Sequence, residues 1–210
     1  MQELYSMNLN VESRRCVVVG GGHVALRKVE GLLYAGADVF VIGPHVCDEI
    51  RILPVHLCVR PFDEADLRGA ALAIAATDDP AVNLRVAATG NELGIPVNVV
   101  DQPALCSFFL PAVVRRGGLV ISISTSGSSP ALARRLRERL EEEFGPEYEP
   151  YVKWLDDLRS EIMGRVRSPE ERRQILQEIA GEKVEHILRT QGFDSARRHV
   201  EKLIEECTGG

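Results

Sequence analysis

In the first half of the chain the apolar residues fall in short, nearly unbroken runs. Val17–Val19, Val39–Ile42, Leu57–Arg60, Leu72–Ala76 and Val97–Val100 each read as a strand. Runs without polar alternation are expected of parallel strands covered on both faces. Helical spacing fills the gaps: His23–Ala35 stopping at Gly36, a brief turn over Asp63–Arg68, and Ala81–Leu93 stopping at Gly94. Glycine just past a helix is a stop signal, because it accepts the left-handed conformation that ends the last turn. Strand and helix in alternation predict a doubly wound α/β sheet.

Leu119–Ser124 reads as one more strand, after which the pattern changes. From Pro130 onward the chain is dense in Glu and Arg and almost free of β-branched runs. Helices are predicted over Pro130–Phe144, Tyr148–Val166, Pro169–Gln191 and Asp194–Cys207. Ser129-Pro130 and Ser168-Pro169 each supply a capping hydroxyl followed by proline at the first helical position. The expected organisation is therefore residues 1–112 as the nucleotide-binding α/β domain, 113–147 as a segment for a dimer contact and a ligand loop, and 148–210 as a helical C-terminal domain.

The sharpest local signal lies between the first strand and first helix: Val19-Gly20-Gly21-Gly22-His23-Val24-Ala25. This strand–glycine–helix order is the form of a dinucleotide-binding turn. Gly20 makes the turn, Gly22 lets a pyrophosphate approach the backbone, and Ala25 allows close helix–strand packing. Free N–H groups and the helix dipole favour an anion there. In such a fold, ligands bind beyond the carboxyl ends of the strands. The second strand ends in Gly43-Pro44-His45, where an acidic residue would be expected to hold a ribose, so backbone contacts are left with that task. Thr77 ends the fourth strand and borders the expected cofactor site, although Asp79-Pro80 also reads as a simple helix start. Asp101 leaves the fifth strand where a reactive ring would lie; it is either a proton-handling carboxylate or a turn residue. Ser124-Thr125-Ser126-Gly127-Ser128-Ser129, followed by Arg134 and Arg135, is either an anion cradle or an ordinary N-cap loop.

The net charge of −6 argues against nucleic acid as the main partner. No apolar run is long enough to span a bilayer. The residues Met1 to Tyr5 show no secretory pattern. The five cysteines (Cys16, Cys47, Cys58, Cys106 and Cys207) are scattered, as expected of reduced thiols in a cytoplasmic protein. His45, His56, His186 and His199 lack metal-site spacing, and no metal site is expected.

Five segments occur in a shared order: Val18–Lys28, Ala75–Asp79, Asn98–Asp101, Ser107–Ala112 and Ser126–Arg134. Over about residues 8–145 they resemble the precorrin-2 dehydrogenase module of siroheme synthases. The resemblance implies a Rossmann-like sheet with a dimerisation segment and a C-terminal helical region. It implies NAD-dependent oxidation of precorrin-2 to sirohydrochlorin, with iron insertion added in some members. Asp101 carries over as the catalytic residue. Gly20, Gly22, His23 and Val24 carry over to the cofactor, and Ser124–Ser129 to the tetrapyrrole substrate. A homodimer through about residues 113–147 is implied, and the apolar strand Leu119–Ile123 beyond the main sheet is a further reason to expect one. The macrocycle's carboxylates would suit the serine loop, Arg134 and Arg135. The alternative is a regulatory module that senses NAD(H) without chemistry, for which neither Asp101 nor the serine loop would be needed.

Overall fold

A computed structural model of the chain describes residues 3–208, with side chains described up to Ile204. The side chain of Cys207 lies outside the described residues. The chain forms two compact units, residues 1–110 and 111–210.

In the first unit, β1 (Arg15–Val19), β2 (Asp38–Ile42), β3 (His56–Cys58), β4 (Leu72–Ala75) and β5 (Val97–Val99) form a wholly parallel sheet in the order β3-β2-β1-β4-β5. The main helices are α1 (His23–Tyr34), the single-turn α2 (Asp48–Arg51) and α3 (Pro80–Leu93). Successive residues of a strand face opposite sides, so each strand feeds two cores. Cys16 and Val18 pack with Val39, Val41 and Ile74 against Ala25, Val29 and Leu32 of α1. Val17 and Val19 pack with Ala73, Ala75, Val97 and Val99 against Val86 and Ala87 of α3. This double coverage is why the strands read as continuous apolar runs. The α/β sheet is thus as expected, with β3 ending before Arg60. Arg60 instead clasps Asp66 with both guanidinium nitrogens, at 2.8 and 2.5 Å.

α2 did not stand out in the sequence. Four residues cannot hold a helix by their own hydrogen bonds. Ile50 is fully buried and anchors it, while the Cys47 N–H donates to the Gly21 carbonyl at 2.8 Å. At the opposite edge, Cys106–Phe108 folds back along β5. The Ser107 N–H donates to the Val97 carbonyl, the Val97 N–H to Ser107 Oγ, and the buried Asn98 amide to the Phe108 carbonyl. The exposed edge of the last strand is closed in this way, which gives a structural reason for the Asn98–Asp101 and Ser107–Ala112 segments to occur together.

The second unit opens with an antiparallel hairpin, β6 (Ala112–Arg116) and β7 (Leu119–Ile123), joined through Gly117-Gly118. β6 was absent from the sequence reading, although Gly-Gly between two β-branched runs is a hairpin signal. β7 therefore has a strand partner on one edge, and its other edge is unpaired among the described strands. α4 (Pro130–Glu143), α5 (Tyr148–Arg165), α6 (Pro169–Ile179), α7 (Glu182–Gln191) and α8 (Phe193–Thr208) follow. The helix expected over Pro169–Gln191 is two helices, broken at Ala180-Gly181. α5 to α8 enclose a core of Tyr148, Tyr151, Leu158, Ile162, Ile175, Ile179, Val184, Leu188, Ala196 and Val200. Both tyrosines keep their hydroxyls bonded, Tyr148 to Glu185 and Tyr151 to the Ile179 carbonyl. Burial raises the Tyr151 phenol to about 12. No helix among the described residues is long and apolar enough to cross a membrane.

Candidate functional site

The strand order reverses between β1 and β4, and the glycine turn sits at that point. Its three glycines answer three different constraints. Gly20 has φ +123°, and a Cβ there would lie 2.2 Å from the Ala76 carbonyl oxygen. A Cβ on Gly21 would lie 2.2 Å from the His45 carbonyl oxygen, against the loop that follows β2. Gly22 has φ −87° and ψ −177°, which any residue adopts, and a Cβ there would meet nothing within 4 Å. Nothing in the chain itself demands glycine at position 22. Its bare backbone borders open space in front of α1.

Gly22 is also the N-cap of α1, and no side chain caps that helix or places an acid in its first turn. By contrast, the Asp79 carboxylate caps α3 by accepting from Ala81 and Val82. The first N–H groups of α1 are therefore available to an external anion. The ring of His23 is exposed, and so is Val24. Ala25 is fully buried under the helix. Gly43 is buried beside the turn, its expected Cβ position 3.5 Å from the Gly20 carbonyl carbon, and Pro44 is exposed.

Thr77 is committed to the chain. Its hydroxyl donates to Asn83 Oδ1 at 2.8 Å, and the buried Asn83 amide returns a bond to the Thr77 carbonyl. The helix-start alternative for Thr77-Asp78-Asp79-Pro80 is thus realised, with the backbone of Thr77 packed beneath Gly20. Asp101 follows β5 at the same carboxyl end of the sheet and is exposed. It has φ +59°, an uncommon conformation for a residue with a side chain, and one that gathers at functional sites. Lys28 on α1 is a residue whose role the sequence did not reveal. Burial first, and then Arg27, hold its ammonium below the usual lysine range, while the Asp101 carboxylate acts the other way. Asp101 and Lys28 are therefore electrostatic neighbours, brought together from positions 73 residues apart in sequence.

The serine loop lies in the second unit. The Ser126 N–H donates to Ser124 Oγ, the Ser128 N–H to the Thr125 carbonyl, and the Ser129 N–H to Thr125 Oγ1. Ser129 Oγ caps α4 by accepting from Leu132. Three of the six N–H groups of Ser124–Ser129 therefore serve the loop itself. Ser126, Gly127 and Ser128 remain exposed, with positive φ at Ser126 and Gly127. Arg134 projects from α4 and pairs with Glu138 at 3.0 Å.

An uncapped helix at a sheet's switch point, entered through a glycine turn with one side open, defines a dinucleotide-binding α/β protein. Residues 7–112 match the family described as "Putative NAD(P)-binding", and the chain belongs to that family. Residues 116–143 match a second family, "Sirohaem biosynthesis protein central". The chain is 37% identical over 207 residues to siroheme synthase of Thioalkalivibrio sulfidiphilus, covering 97% of this chain and 42% of that protein. It is 38% identical over 199 residues to siroheme synthase of Pseudomonas fluorescens, covering 92% and 43%. The chain thus spans less than half the length of the curated relatives it matches. Among solved structures it is similar to SirC, a precorrin-2 dehydrogenase, with a TM-score of 0.76 and 28% identity, covering 95% of this chain and 100% of that one.

Proposed function

We propose that this chain oxidises precorrin-2 to sirohydrochlorin with NAD, as a module of siroheme biosynthesis. The observation that carries the reading is that the uncapped glycine turn and the left-handed Asp101 both follow the carboxyl ends of strands in one parallel sheet. The names of the relatives and of the solved neighbour supply the substrate.

The backbone at Gly20, Gly22, His23, Val24 and Ala25 binds the cofactor's pyrophosphate, and Gly43 and Pro44 border its adenosine end. Thr77 shapes this wall through its backbone. NAD, when bound, supplies the hydride acceptor. The oxidation also releases a proton, and the Asp101 carboxylate is the chain's candidate to take it. Asp101 is exposed in the chain itself, so its desolvation comes from the molecules it receives.

In this reading residues 113–147 hold the substrate loop and a homodimer interface. Ser124, Thr125 and Ser129 build the loop, while Ser126, Gly127 and Ser128 present hydroxyl and amide groups to substrate carboxylates. Arg134 and Arg135 extend the positive charge along α4. Dimerisation is supported by what α4 leaves uncovered: Ala133 is its one buried residue, while Leu132 and the β7 residue Val120 are more than a third exposed.

Anaerobic incubation with precorrin-2 and NAD tests the proposal. Absorption of the conjugated product should appear together with stoichiometric NADH. Tight NAD binding without turnover would reject the enzyme and leave an NAD(H)-sensing module. Adding iron(II) to the product tests metal insertion separately.

A further inference from the structure

The fold brings three metal-ligating side chains together outside the proposed reaction centre. His23 is the first residue of α1, Cys47 precedes α2, and Glu49 lies within α2. One ligand atom from each (imidazole nitrogen, thiol sulfur, carboxylate oxygen) lies within 4.8 Å of the other two. Their spacing in sequence gives no hint of this. The backbones that carry them are fixed: Ile50 is fully buried, and the Cys47 N–H bonds to the carbonyl of Gly21 in the turn that leads to His23.

We propose that His23, Cys47 and Glu49 form a site for a thiophilic divalent cation of the zinc or cobalt(II) class. One nitrogen, one sulfur and one oxygen ligand suit such an ion, and a thiolate disfavours magnesium and calcium. Metal–ligand bonds of about 2.0–2.3 Å require the three atoms to draw together slightly. His23 and Glu49 are exposed, and the Glu49 carboxylate is already drawn to its own backbone N–H and to the Cys47 thiol, with the His23 ring beside it. Three protein ligands leave a fourth position for water or an external donor. Binding releases the thiol proton, because the thiolate is the ligand. Two other described cysteines, Cys16 and Cys106, suit the role less well. Cys16 is buried, its thiol pushed up to about 11, and Cys106 bonds to the backbone of Val99 on both its donor and acceptor sides. A bound ion would tie the first turn of α1 to the loop after β2, the two backbone walls of the dinucleotide crevice.

Titration of the reduced, metal-free full chain with cobalt(II) tests the site. A thiolate-to-cobalt charge-transfer band should saturate at one equivalent and be bleached by zinc. Cys47→Ser should abolish the band, and Cys58→Ser should retain it. His23→Ala and Glu49→Gln change exposed side chains, so folding is not in question. Each should weaken cobalt affinity by at least the about 10–100-fold seen for the loss of a ligand's supporting partner. Zinc should raise the melting temperature of the wild type more than that of either variant. A band that survives Cys47→Ser, or cobalt affinity unchanged in both His23→Ala and Glu49→Gln, would overturn the assignment.

Discussion

At the scale of single residues, the glycine turn separates fold from function. A side chain at Gly20 or Gly21 collides with a carbonyl of the chain itself, so substitution there damages the fold. A side chain at Gly22 would meet nothing of the chain within 4 Å, so only a bound molecule could oppose it. Gly22→Val should therefore fold normally and lose about 1–3 kcal/mol of NAD binding, the scale of forced overpacking. Calorimetric titration of NAD into the two proteins measures it, and equal affinities would remove the pyrophosphate from this turn. Asp101 allows a similarly clean substitution. Asparagine tolerates the left-handed region as readily as aspartate, so Asp101→Asn keeps the backbone and removes only the basic oxygen. Turnover should fall by about 10²–10⁴-fold, the usual worth of a positioned acid–base group, with NAD affinity retained. Near-normal turnover would make Asp101 a turn residue whose strain has another cause.

At the scale of elements, the connection after β3 shows how one carboxylate organises a segment with little helix of its own. Asp66 accepts two bonds from Arg60 and one from the Asp63 N–H, and its own carbonyl accepts from Arg15. The Arg60 bonds come first in holding this carboxyl below the usual aspartate range, against the opposing effect of burial. A carboxyl with a lowered folded-state pKa stabilises the fold above its unfolded value. That contribution disappears as pH falls through the folded value. Asp66→Ala should cost about 1–2 kcal/mol at neutral pH, discounted because Arg60 is half exposed. The deficit should shrink towards zero in acid. Urea unfolding of both proteins across the acid range checks this, and a pH-independent difference would mean that packing, not charge, is what Asp66 provides. The regularity of this unit was largely legible from apolar runs and stop glycines. α2 was not, because burial of Ile50 rather than local propensity makes it. β6 was missed because its two arginines interrupt the apolar signal.

At the scale of the whole molecule, α4 and the hairpin leave apolar surface uncovered at Leu132 and Val120. A helix with one buried residue, beside a strand that alternates half-buried and exposed positions, is poorly accounted for in a single copy. If a second copy covers this surface, Val120→Glu combined with Leu132→Glu should yield a stable monomer by sedimentation, with the far-ultraviolet dichroism of the wild type. A wild-type chain already monomeric at micromolar concentration would reject the dimer.

The sequence by itself determined the class of fold, because parallel strands buried on both faces must be written as continuous apolar runs. It also marked the strand–glycine–helix turn, because three glycines in a row stand out between an apolar run and a helical one. Only the tertiary structure decided which of those glycines the fold itself demands, since that depends on which carbonyls of distant loops lie overhead. The same is true of the Thr77 hydroxyl and of the Ser126, Ser128 and Ser129 amides, whose hydrogen bonds are spent within the chain. It is true again of His23, Cys47 and Glu49, and of Lys28 beside Asp101. Residues from separate connections meet only when the sheet orders its strands, and spacing along the chain carries no record of that order.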